Sequence, residues 1–181
     1  MTKIFRTDNR GVAKNYADQR NTNATRGCVS GPKLSTEILG FSGARSSNGQ
    51  FYHDNETIYS YGPHFPIATR RNINSSEQVI LVRPYDDAPS STTARHMGMV
   101  CSALALEGLS YIRVKNIFAK TTEEHAENLV FMAEQRDLVE GKMNRARSPH
   151  MRRVHATDYQ KWTDNMRRYR MYFFAFTPTT T

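Results

Sequence analysis

Apolar positions recur at helical spacing in two stretches of the chain and at strand spacing in several shorter ones, with long polar intervals between. Met97, Val100, Cys101 and Leu104, with Gly108 one turn on, trace one face of a helix. That helix starts near Ser91 or Thr92, where hydroxyl side chains can cap it. Gly98 in its middle costs about 1 kcal/mol against alanine and predicts close packing there. Thr121 to Glu124 reads as a capping box, a threonine followed three residues later by a glutamate. It predicts a helix carrying Ala126, Leu129, Val130, Ala133 and Leu138 and running to about Arg145. Ser148-Pro149 interrupts the pattern, and Thr157 is the expected cap of a third helix with Tyr159, Trp162, Met166 and Tyr169 on one side.

Strand signals fall mainly between these helices and the N-terminus. Thr36 to Phe41 is the first candidate, followed by a turn over Ser42 to Gly49. Thr57 to Tyr61 is β-branched and aromatic, Gly62-Pro63 marks a turn, and Phe65 to Thr69 resumes the extended pattern. Pro66 lacks an N–H and belongs at an edge or a bulge. Arg70 to Glu77 reads as a polar connection, and Val79 to Val82 as a strand buried on both faces, ended by Pro84. Tyr111 to Phe118 and the aromatic run Tyr172 to Phe176 are further strand candidates, the latter either closing the sheet or forming an edge that pairs with a partner. The expected fold is α+β: an antiparallel β-meander of three to five strands packed against two or three helices. Residues 1–33 show no period and read as a polar N-terminal arm, either loop-like or with a weak helix around Val12 to Gln19. Residues 34–141 form the expected α+β core, and residues 142–181 a basic helical segment whose C-terminal aromatic strand packs on that core.

A length of 181 residues suits one domain, and 38% hydrophobic residues with a mean hydropathy of −0.66 allow only a modest core. The longest apolar run, Met97 to Leu106, falls short of the roughly 20 residues that span a bilayer. Met1 to Arg6 carries no hydrophobic stretch suited to secretion, so an intracellular location is expected. Cys28 and Cys101 stand alone, without zinc-finger spacing; Cys101 reads as a buried small residue and Cys28 as a thiol in a polar segment.

Charge changes this picture more than composition does. Between residues 142 and 170, nine cations face two carboxylates, a surplus of +7 out of +8 for the whole chain. Such asymmetry points to a polyanionic partner. Arg145, Arg147, Arg152, Arg153, Lys161, Arg167, Arg168 and Arg170 are the expected phosphate contacts. Tyr159, Trp162 and Tyr169 either stack on unpaired bases or form the apolar face of an ordinary helix. A second candidate is an anion site at the hydroxyl-rich helix start, built from Thr92, Thr93, Arg95 and His96; simple N-capping accounts for the same residues. His53, Asp54, His64 and His96 could converge on a metal or on acid–base work, but their spacing matches no ligand pattern, and Asp86-Asp87 reads as a turn. No P-loop, dinucleotide fingerprint or nucleophile elbow is present. No catalytic residue, metal or cofactor is therefore expected.

Ser60 to Ala68 and Ser90 to His96 together resemble an uncharacterised family of small bacteriophage and mobile-element proteins. The family has a Ser-Tyr…Ile-Ala strand followed by a Ser-x-Thr-Thr-x-x-His helix start. The similarity covers residues 57–104; the first motif is two residues longer here, Pro89 replaces a tyrosine and Ala94 a serine. The resemblance implies a viral or mobile-element origin and a strand–strand–helix unit, and it assigns no activity. The function expected from all of this is that of a non-enzymatic phage-type accessory protein binding DNA or RNA through its basic C-terminal region. Alternatives are a protein-interaction role, as virion component or inhibitor of a host factor, and a hydrolase or nuclease using His64, His96 and a carboxylate.

Overall fold

β-Branched and aromatic residues drive the middle of the chain into strands, and the strands follow one another through space in the order of the sequence. The computed structural model describes residues 3–24, 41–46, 50–54, 56–61, 63–73 and 78–174. It opens with β1 (Lys3–Thr7) and α1 (Asn9–Ala24), then runs through β2 (Phe41–Ser46), β3 (Phe51–His53), β4 (Thr57–Ser60), β5 (Phe65–Asn72) and β6 (Gln78–Val82). Strands β2 to β6 pair antiparallel in turn, the expected meander, and β1 adds a parallel strand beside β2. After a 3-10 turn at Tyr85–Asp87 come α2 (Ser91–Leu106), the short β7 (Tyr111–Arg113), α3 (Thr122–Arg145) and α4 (Pro149–Phe174). The chain divides into two units, residues 1–111 and 112–181. The division differs from the expected boundaries at 33 and 141 because α1 packs into the first unit and α3 pairs with α4 in the second.

In the first unit, register decides which side chains meet the helices. Ile58 opposes Ala68, which opposes Val82, and Arg70 opposes Ile80, so these residues share one face. Val12, Ala13, Tyr16 and Ala17 of α1 and Met97, Val100, Cys101 and Leu104 of α2 complete a buried core with Phe51, Ile58, Ala68, Ile80 and Val82. Pro66 sits where the β4–β5 register shifts, the bulge its missing N–H demands. Arg70 is buried and donates to the carbonyls of Tyr16 and Ala17, with its guanidinium 4.8 Å from the Tyr16 ring centroid. Tyr16 in turn donates to the Glu56 carbonyl at 3.2 Å.

Several expectations are corrected here. The N-terminal segment is no arm over residues 3–24: the i, i+1, i+4, i+5 set Val12, Ala13, Tyr16, Ala17 anchors a full helix in the core. The proposed turn at Ser42 to Gly49 is strand through Ser46, held by β1 on one side and β3 on the other. Arg70 to Asn72 extend β5 because Ile80, Val79 and Gln78 pair with them. Gly98 is not tightly packed; a Cβ there would meet only the Tyr85 hydroxyl, at 3.8 Å. The strand expected at Tyr111 to Phe118 ends at Arg113. Cys28 and the candidate strand residues 36–40 lie outside the described residues; Cys101 is buried and free.

The second unit is a helical hairpin. Thr121 accepts from the Glu124 amide at 3.2 Å and Glu124 accepts from the Thr121 amide at 3.1 Å, the expected capping box. Backbone donation from Lys120 and Thr121 holds the Glu124 carboxyl below its ordinary range. Contacts pair Phe131 with Trp162, Arg136 with Tyr159 and His125 with Tyr169, which makes α3 and α4 antiparallel. The stripe that turns inward on α3 is His125, Asn128 and Met132, whereas the expected apolar positions Ala126, Val130 and Leu138 are exposed. A polar anchor explains the rotation. Asn128 accepts from the Asn116 amide at 2.8 Å and donates to the Asn116 carbonyl at 2.7 Å and to the Tyr169 hydroxyl at 2.8 Å. Helix α4 begins at Pro149, not after Thr157: proline suits the first helical position, and the Arg152 amide donates to the Ser148 carbonyl at 3.0 Å. Thr157 is inside the helix and donates back to the Arg153 carbonyl at 3.1 Å. Tyr172 to Phe174 form the last turn of α4 rather than a strand, with Phe173 stacked on His125 at 4.5 Å.

Removing the Asn128 amide leaves backbone groups of Asn116 without their partner, at about 1–3 kcal/mol per unsatisfied buried group. Asn128→Ala is therefore expected to lower the unfolding free energy of the second unit by about 2–4 kcal/mol. Val130→Ala, on the exposed side, is expected to change it by under about 0.5 kcal/mol. Urea unfolding of the two variants checks this; equal losses would remove the polar anchor.

Candidate nucleic-acid interface

The cations of the second unit gather where the two helices meet. From Gly141 to Thr157 the chain holds Lys142, Arg145, Arg147, Arg152 and Arg153 with His150 and His155, and not one carboxylate. All five Lys and Arg side chains are exposed, on the last turn of α3, the link and the first turn of α4. Helix-terminal preferences favour Lys142 and Arg145 at the C-terminus of α3, where they offset the negative end of its dipole. Arg152 donates to the Ala146 carbonyl at 3.2 Å and straps the link. Among the described residues, none of the five forms an ion pair.

The remaining expected contacts run along α4. Lys161, Arg167 and Arg170 are exposed and Arg168 is half-buried. Arg152 and Arg170 stand about 27 Å apart along the helix axis. Part of this charge is neutralised: Lys161 pairs with Asp158 at 3.3 Å and Arg167 with Asp164 at 3.8 Å. Arg168 lies over the Tyr172 ring at 5.9 Å. The neighbouring α3 is acidic over residues 122–141, with six carboxylates against Arg136 alone. The strongest positive field therefore belongs to the hairpin tip.

The aromatics are not a stacking platform. Tyr169 is buried and bonds to Asn128 and to His125 Nδ1, the latter at 2.7 Å. Trp162 is half-buried with its ring edge against Phe131 at 6.2 Å, and Tyr159 is half-buried beneath Arg136. Of the two readings the sequence allowed, the apolar helix face is the observed one.

The hydroxyl-rich start of α2 is a cap rather than an anion site. Ser90 Oγ accepts from the Thr93 amide at 3.1 Å, and the Ser90 and Thr93 hydroxyls lie 3.1 Å apart. Thr93 and His96 turn into the core while Arg95 is exposed, so Thr92, Thr93, Arg95 and His96 do not converge. His96 instead ties three elements together. Asn9 Nδ2 donates to Nε2 at 3.1 Å, which leaves the ring proton on Nδ1 for Ser60 Oγ at 2.8 Å, and Phe51 stacks on the ring at 4.4 Å. Ser60 accepts this hydrogen bond and is itself fully buried, out of reach of a substrate. Ser60 and His96 are residues of the two motifs noted in the sequence, brought into contact here.

His53 is built the same way. Nδ1 lies 2.6 Å from the Asp54 carbonyl oxygen and Nε2 lies 2.9 Å from Asn15 Oδ1, so the neutral ring donates its one N–H to one of these two oxygens, and Tyr16 meets the ring edge-on at 5.7 Å. His64 is exposed on the turn before β5. Among the described residues, no three His, Cys, Asp or Glu side chains gather where they could hold a metal, so His53, Asp54, His64 and His96 do not converge. The sequence reading missed Asn9 and Asn15, since asparagine in a polar segment gives no signal until the helix that carries it is placed. No helix among the described residues is long and apolar enough to cross a membrane. Comparison of the chain with models of protein families, with curated proteins and with solved structures finds no match.

Burial pushes the His53 imidazole down to about 4, with Arg70 adding to the shift and Asp54 opposing it; burial and Arg95 push His96 down as well. An unfolded histidine titrates near 6.5, so the unfolded chain takes up protons that the folded chain refuses as pH falls from about 6.5 towards 4. Stability is accordingly greatest above that window, and His53 alone is expected to withdraw about 3 kcal/mol on reaching pH 4. Urea titrations at pH 7 and pH 4.5 test this. His53→Gln is expected to be weaker at pH 7 but less pH-dependent, and an unaltered slope would clear His53 of the effect.

Proposed function

We propose that this protein is a non-enzymatic accessory protein, of the kind found in phages and mobile elements, that binds DNA or RNA through the tip of its α3–α4 hairpin. The observation that carries the reading is the run Gly141 to Thr157, with five exposed and unpaired cations and no carboxylate. An ordinary solvated surface mixes signs; a one-sign patch at the end of two packed helices suits a phosphate backbone. Arg145, Arg147, Arg152, Arg153 and Lys142 make the leading contacts, and Lys161, Arg167, Arg168 and Arg170 extend them along α4. With the aromatics held in the hairpin core, recognition is of backbone charge and not of stacked bases, which implies weak sequence preference. A second reading, docking on an acidic protein surface, draws on Met151 (43% exposed) and Val154 (38% exposed), apolar side chains set among the same cations.

Anisotropy of labelled duplex and single-stranded DNA and RNA across a salt series is the test. Engagement of about four phosphates on a duplex gives a slope of log K against log salt near −3.6. Charge reversal at both Arg152 and Arg153 is expected to weaken binding at least tenfold and to flatten that slope. Trp162 emission is expected to stay unquenched on binding because the indole faces Phe131. Unchanged affinity in the double variant would take the tip out of the reading, and a partner captured from nuclease-treated lysate only by the unaltered tip would favour the protein surface.

A further inference from the structure

Helices α1 and α2 lie side by side and run in the same direction: Asn9 at the start of α1 meets His96 in the second turn of α2, and Asp18 further along α1 interacts with Glu107 at the end of α2. Between them is a groove of about 840 Å³. Arg10 and Lys14 of α1 and Arg95 of α2 supply three cations to its wall, against one carboxylate, Glu107. Its apolar lining includes Ala13, Met99, Ala103 and Leu106, the last 87% exposed at the rim.

Two features suit this groove to a ligand rather than to packing. Gly98 leaves part of the wall open, since a Cβ there would still stand 3.8 Å from the Tyr85 hydroxyl. The three cations make no ion pair among the described residues, Lys14 only attracting Asp18 through space; Asp18 and Glu107 interact with each other, and burial together with Glu107 holds the Asp18 proton on to higher pH against the opposing pull of Lys14. Arg10 also stands in the first turn of α1, whose dipole adds to its field. The caps of both helices are already engaged: Asp8 accepts from the Gly11 amide at 2.6 Å and Ser90 accepts from the Thr93 amide. An incoming anion is thus left to the side chains.

We infer that the α1–α2 groove is a binding site for a small organic anion, a phosphate or carboxylate held by Arg10, Arg95 and Lys14 with an apolar body lying over Gly98, Met99 and Ala103. The volume falls within the range of small-molecule sites, and the arrangement of an apolar floor with a few convergent charges is theirs. The site lies wholly in the first unit and stands independently of the nucleic-acid reading.

Calorimetric titration of the full chain with adenosine 5′-monophosphate, with decanoate and with inorganic phosphate tests it. At least one of the two organic anions is expected to bind at least tenfold tighter than phosphate; which one identifies the body as a flat heterocycle or an alkyl chain. Arg95→Glu, a change on an exposed side chain, is expected to weaken that binding at least tenfold. Gly98→Val, which fills the floor without altering charge and uses no poorer a helix former than glycine, is expected to do the same. Circular dichroism confirms that each variant is folded. Organic anions that bind no better than phosphate, or equal affinity in both folded variants, would overturn the site.

Discussion

Two buried imidazoles set the position of the first helix, and the arrangement of the first unit follows from them. His53 and His96 are each 2% exposed, and an imidazole removed from water must have its nitrogens satisfied. Asn9 and Asn15, six residues apart on α1, lie against one nitrogen of each ring, while Ser60 and the Asp54 carbonyl lie against the other. Those bonds fix α1 along its axis and in rotation, in a way that the small apolar set Val12, Ala13, Tyr16 and Ala17 does not. Arg70 strengthens the same constraint by reaching across from β5 to carbonyls of α1. Helix α2 is then located by His96, and the groove between the helices is what remains when both are docked on polar anchors.

The second unit repeats the strategy with different groups. Asn128 treats the backbone of Asn116 as a strand would treat a neighbour, and Tyr169 of α4 closes the network with His125 of α3. Around it sit Met132, Met166, Phe131, Trp162 and Phe173, so the hairpin combines a directional polar centre with non-directional apolar packing. A low apolar content is consistent with this design. Directional bonds between buried polar groups supply the specificity that a larger core would draw from shape alone.

How much was legible in the sequence depends on whether the signal was local. Thr121 with Glu124 announced α3, and its end at Arg145 agrees with the structure, because a capping box is complete within four residues. Ser90 and the 97–104 stripe announced α2 for the same reason. The meander from Thr57 to Val82 was legible from β-branched residues and turn pairs. By contrast, α1 carries its apolar residues in a sparse cluster among asparagines and arginines, and its anchors are meaningful only against histidines some 40 and 90 positions away. Ser148-Pro149 was a start signal read as a break, and the Tyr172 to Phe174 aromatics kept helical conformation because His125 offered them a surface. The basic tip was legible as composition; that its cations share one end of a hairpin required the antiparallel pairing of α3 with α4.

That pairing gives the hairpin an electrical shape as well as a mechanical one. Helix α3 is about 36 Å long, and its first twenty residues carry −5 while the segment from 142 to 170 carries +7. Since the C-terminal half of α4 runs back along the acidic part of α3 and its residues 158–170 carry only +2, it offsets less than half of that −5 and leaves the body of the hairpin net negative. Only the tip is net positive. At physiological salt, where fields decay over about 8 Å, a polyanion approaching from the side meets a net negative body, and one approaching the tip meets an attractive field. The hairpin would therefore be turned end-on during the encounter, before any contact forms, and the orientation of the complex would be selected by diffusion in that field and not by the contacts made afterwards.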